Sequence, residues 1–123
     1  MSDYLENKML LATVGNTSYT TPATVYTALS TAAMTGNSTP TEPTGNGYSR
    51  VATAFTVTNS TAVNTGNVSY TPTGNAWGFI RSVAVMDASS GGNVLYYGTI
   101  APRNTEVGVE VAFLAGKITL VIS

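Results

Sequence analysis

Apolar and polar residues alternate in short blocks along most of this chain, and blocks of that length suit strands. Only the first fourteen residues follow a different period. Leu5, Met9 and Ala12 recur at i, i+4 and i+7, with Leu10, Leu11 and Val14 widening the apolar side, which is the spacing of one helix face. Ser2 can cap the amino end, and Asp3 and Glu6 fall in the first turn, where the helix dipole favours acids. Gly15-Asn16 supplies a stop, with Gly15 expected in the left-handed conformation. The pattern predicts a helix over residues 2–14. A helix that short needs a surface to dock on. That surface is either the sheet of its own chain or a neighbouring subunit, with Leu5 and Met9 at the contact.

The rest reads as strands and turns. Thr24–Met34 predicts a strand with two apolar faces, and hence a central position: Val25, Leu29 and Ala33 on one side, Tyr26, Ala28 and Met34 on the other. Thr35–Gly47 is polar, contains Pro40 and Pro43, and predicts a long exposed loop, either partner-facing or a plain surface excursion. Tyr48–Val57 predicts one strand or two short ones. Thr61–Asn64 and Asn67–Tyr70 are short and polar and predict edge strands.

The centre of the pattern is Trp77–Ile100. Two apolar runs, Gly78–Met86 and Val94–Ile100, flank Asp87-Ala-Ser-Ser-Gly-Gly-Asn93, a connector of residues that tolerate positive φ. That is a β-hairpin signature. Ala101–Thr105 follows as a connector. Val107, Val109, Val111 and Phe113 then alternate with Gly108, Glu110 and Ala112, the clearest period of two in the chain. Leu114-Ala115-Gly116 predicts a hairpin loop, and Ile118, Leu120 and Ile122 a final strand. The sum is an all-β chain: one β-sandwich domain over residues 1–123, jelly-roll or immunoglobulin-like, of roughly 7–9 strands with a short N-terminal helix.

Composition narrows the function. The chain has neither cysteine nor histidine, which removes disulfides, thiolate metal sites, the commonest general base and the commonest transition-metal ligand. Charged residues make up 9%, against roughly 25% in an average soluble domain. Five scattered cations cannot form the basic stripe that nucleic acid requires, and no apolar run is long enough to span a bilayer. A surface of Thr, Ser and Asn is also poor at keeping copies apart, which hints at assembly.

The six acids all have structural readings, from helix start (Asp3, Glu6) to turn (Asp87). A nucleophilic serine would have only Lys8 or Lys117 as base, and no G-x-S-x-G or S-x-x-K pattern exists. Asp87 and Asn93 match no calcium-loop spacing. The reading is a non-enzyme with no cofactor and no metal. Two cations stand out as candidate contact residues. Arg81 sits mid-strand on an apolar run, where it is paired, snorkelling or facing a partner; Arg50 lies beside Tyr48, where it can stack.

S-D-Y-L-E-N-K-M-L-L at Ser2–Leu11, T-V-Y-T-A-L-S-T at Thr24–Thr31, Y-S-R-V at Tyr48–Val51 and V-A-V-M-D-A-S-S-G-G-N-V-L-Y-Y-G at Val83–Gly98 resemble a family of small tailed-phage virion proteins. Members are described as capsid decoration (cement) proteins or as tail-fibre-associated proteins. The resemblance implies a β-sandwich that assembles on the virion. The expectation drawn from it is a cement protein on the outer capsid surface, bound to the major capsid protein and forming a homotrimer. The alternative is a tail-fibre or receptor-binding module among tail proteins, in which Trp77, Tyr96 and Tyr97 would offer an aromatic platform for sugars.

Overall fold

The structure, a computed structural model, describes residues 1–121. The described residues form three antiparallel sheets and one helix. Helix α1 spans Asp3–Thr13. The strands are β1 (Val25–Ser30), β2 (Val51–Thr53), β3 (Phe55–Thr58), β4 (Thr61–Asn64), β5 (Val68–Tyr70), β6 (Phe79–Met86), β7 (Val94–Asn104), β8 (Val111–Phe113) and β9 (Thr119–Val121). A four-stranded sheet runs β2-β1-β6-β7, a three-stranded sheet β3-β4-β9, and a two-stranded sheet β5-β8. This is the expected β-sandwich class, with the helix added at the amino end.

The β6–β7 hairpin is the centre of the large sheet, and β1 lies between β2 and β6. Both faces of β1 are buried, as its sequence predicts. Leu29 feeds the main core with Ile80, Val68, Tyr70, Trp77, Val111 and Ile118. Ala28 feeds a second cluster on the opposite face, with Met34, Ala84, Met86 and Val94. Burying both faces is what a central strand demands. Two register shifts adjust the hairpin to this task. One falls between Ile80 and Ser82: before it Ile80 points into the main core, and after it Val83 does. The other skips Leu95, since Val85 pairs with Tyr96 but Met86 with Val94.

Several expectations are corrected. The β1 strand ends at Ser30 rather than Met34, because the chain turns away there: the Thr31 N–H bonds the Thr41 carbonyl and the Ser30 hydroxyl bonds Ala32. Tyr48–Val57 does contain two strands, but they lie in different sheets. β4 is the middle of its sheet rather than an edge. The connector expected at Ala101–Thr105 is strand as far as Asn104, although Ile100–Pro102 have no partners on β6. Pro102, lacking an N–H, sits where the ladder is interrupted.

The clear alternation at Val107–Phe113 yields only β8, and Val107 and Val109 are each 51% exposed. Gly108 adopts φ 77°, its N–H bonds Pro72, and the Val109 N–H turns back to Glu106. Leu114–Lys117 is a turn with Gly116 at φ 79°, but it joins two sheets rather than a hairpin. At the end of α1 the left-handed residue is Asn16, not Gly15. Ile122 lies outside the described residues.

Candidate functional site

The helix cap shows how the amino end is fixed. Ser2 is buried, and its hydroxyl accepts the Leu5 N–H at 3.1 Å while donating to the Val94 carbonyl. The Ser2 N–H bonds the Leu95 carbonyl at 2.9 Å. The skipped residue in β7 thus lends its carbonyl to the helix start. The cap satisfies orphan groups of helix and strand together. Leu5 is the buried residue of α1, while Met9 is half-buried. The helix docks on its own chain, the first of the two surfaces open to it.

Trp77 is 8% exposed and belongs to the main core. It meets Tyr48 edge to face at 5.4 Å and Tyr70 at 6.5 Å, and Tyr48 and Tyr70 stack at 6.0 Å. Its indole N–H bonds the Asn46 carbonyl at 3.1 Å. Tyr96 and Tyr97 are elsewhere. Tyr96 lines an open cleft of about 200 Å³ with Val83, Val85, Ile100, Phe113 and Ile118, where β6 and β7 meet the β8–β9 region. Tyr97 packs against the second cluster. Adjacent residues of a strand point to opposite faces. Tyr97 also borders the cleft that Tyr96 lines, but Trp77 lies in the core away from both, so the three aromatics do not form a shared platform.

The two arginines have opposite fates. Arg81 is exposed and lies over the Phe79 ring at 5.9 Å, and Phe79 is itself exposed. Arg50 is an internal clamp. Its side chain is 7% exposed. Its Nε and Nη2 donate to the two oxygens of Glu42 at 2.9 and 2.8 Å, and its Nη1 donates to the carbonyls of Ala88 and Gly91, both at 2.8 Å. The Tyr48 hydroxyl donates to Glu42 Oε1 at 2.6 Å and accepts the Leu29 N–H at 3.0 Å. β2 pairs only with Val25–Thr27 of β1, so the Leu29 N–H has no ladder partner on that side; Tyr48 takes its place.

Burial alone would raise the Glu42 carboxyl, but hydrogen bonds from Arg50 and Tyr48 outweigh it and hold the group below the ordinary carboxylate range. Burial pushes the Tyr48 and Tyr70 hydroxyls up. The Glu42 bonds keep the Arg50 guanidinium charged.

Sequence reasoning singled out Arg50 but missed Glu42, which is eight residues away in a Pro-rich loop. The proximity of Tyr48 and Arg50 was the only available signal. It also missed Asn64, which is 1% exposed. Asn64 Nδ2 donates to the carbonyls of Gly66 and Leu114, and Oδ1 accepts the Ile118 N–H. Asp87 takes the turn role expected of it, accepting the Asn93 N–H at 2.7 Å and the Asn93 amide at 3.1 Å. Of the candidate contact residues, Leu5, Arg50 and Trp77 spend their surface inside the chain. Arg81, with half-buried Met9, Tyr96 and Tyr97, keeps surface outside.

Interior polar groups here hold turns, caps and strand ends together, which is the make-up of a structural β-module. Residues 1–121 match the family described as Podophage GP4 fiber I protein gp80, and the chain belongs to that family. It is a structural protein of a bacteriophage virion. A search of curated proteins finds no match to it.

Proposed function

We propose that the protein is a building block of the phage tail fibre, acting through protein–protein contacts and without catalysis. The observation that carries this reading is the match to a fibre family over nearly the whole chain. The fibre reading displaces capsid decoration, which the sequence favours first, and makes other tail proteins the partners in place of the major capsid protein. Two physical features support a contact role. Large apolar side chains remain in water, including Leu10, Val57, Phe79 and Val121, and interface cores draw on such residues. Glu42 and Asp87 are each engaged by neighbouring groups of the fold, where they hold a loop and a turn in place.

Gold-labelled antibody against this chain, imaged on whole virions by electron microscopy, tests the reading. Label along the tail fibre is expected. Label over the shell with a bare tail would restore the cement reading. Self-assembly into a homotrimer is part of the proposal, and sedimentation equilibrium of the purified chain should return three times the chain mass.

A further inference from the structure

We propose that Glu42 is an acid-sensitive latch that couples loop 35–47 to the hairpin tip at Ala88–Gly91 by way of Arg50. Within the loop, the segment from Thr41 to Asn46 is anchored independently at both ends. Thr41 exchanges bonds with Ser30 and Thr31 at one end, and the Asn46 carbonyl accepts Thr73 N–H and the Trp77 indole at the other. Between these anchors Glu42 receives three bonds, two from Arg50 and one from Tyr48. Gly45, Asn46 and Gly47 all have positive φ, at 66°, 52° and 81°, and carry the turn that ends this segment. A shallow, open depression on the surface is lined by Glu42, Thr44, Asn46 and Trp77.

The coupling follows from charge. Tyr48 and Arg50 face Glu42 directly, and Asp87 acts on Arg50 only at longer range. When Glu42 takes a proton, a guanidinium whose side chain is 7% exposed loses its counter-ion. A buried unpaired charge is strongly unfavourable, so Arg50 moves toward water. Its Nη1 then leaves the carbonyls of Ala88 and Gly91. The base of the tip stays closed, because Asp87 and Asn93 hold each other without Arg50. Acid therefore loosens loop and tip together while the sheets stay folded.

NMR on the intact chain tests this. The probes are the Arg50 Nε–Hε signal, backbone order parameters at Ala88–Gly92 and in loop 35–47, and amide protection at Ala84, in the central strand β6 and outside the Glu42 network, as a core control. In Glu42→Gln at neutral pH, Arg50 Hε exchange with water should quicken roughly tenfold or more, the scale of one lost charge-assisted bond. Order parameters at the tip and loop should fall toward about 0.6, with Ala84 protection unchanged. Acid titration of the wild type should reproduce these changes at one shared midpoint, and it carries the test alone if the variant does not fold. An unchanged Arg50 signal, separate midpoints for loop and tip, or loss of Ala84 protection in step with the tip would each overturn the proposal.

Discussion

Asn64 shows at the residue scale how much one side chain can hold. It closes the turn that carries the chain from β8 to β9 with one amide hydrogen and the carbonyl oxygen, and its other amide hydrogen holds the Gly66 carbonyl. Asn64→Ala leaves those groups buried and unpaired, so we expect a loss of about 2–4 kcal/mol in urea unfolding with an unchanged slope. Tyr70→Phe removes a single bond, from the ring hydroxyl to the Thr27 carbonyl at 2.5 Å, and should cost about 1 kcal/mol. Neither role was legible beforehand. Asn is abundant in this sequence and reads everywhere as turn chemistry. A side chain that bonds residues fifty positions away leaves no local pattern. Arg50 was legible as unusual, because it follows an aromatic in a chain poor in charge. Its partner was not, because Glu42 comes from a loop whose path the sequence does not dictate.

At the scale of elements, the strongest local signals behaved unequally. The helix was legible from its period and its cap, and its stability rests on the same cap. Ser2→Ala removes the acceptor for Leu5 and the donor to Val94 at once. A drop of about 1–2 kcal/mol is expected, read as a lower midpoint in thermal unfolding by circular dichroism. The central hairpin was legible too, since β-branched runs around a Gly-rich tip admit few other conformations. The alternation at Val107–Phe113 misled because period alone cannot see backbone direction. Gly108 supplies a left-handed turn inside the pattern, and its N–H bonds Pro72 rather than a neighbouring strand. The reverse occurs at Pro102, where a breaker residue lies within a continuing strand because its ladder is locally interrupted.

The whole molecule has an unusual charge profile, and its pH response follows. The Glu42 carboxyl is lowered in the folded state. Its contribution is therefore present above the unfolded value, about 4.3, and is lost as pH falls through the folded one. The Tyr48 and Tyr70 hydroxyls are raised, so their contribution is present below about pH 10 and declines as pH rises beyond it. With no histidine to titrate between these limits, the melting temperature should be nearly flat from about pH 5 to 9. It should fall on either side, and Glu42→Gln should lower the plateau while shrinking the acid-side drop. A step near pH 6.5 would contradict this account. The sandwich class was legible because short strands and frequent turns allow little else. The division into three sheets was not, since it depends on Ala54, between β2 and β3, where the chain passes from one sheet to another.

β7 is the longest strand and lies at an edge of its sheet. A long open edge is a template for fibrillar aggregation. Ser2 occupies the Leu95 carbonyl near one end of the strand, and Pro102 offers no N–H near the other. The same features that shape the hairpin therefore act as gatekeepers of solubility. Pro102→Val would supply the missing donor and lengthen the regular edge, and the purified variant should bind thioflavin T on concentration sooner than the wild type.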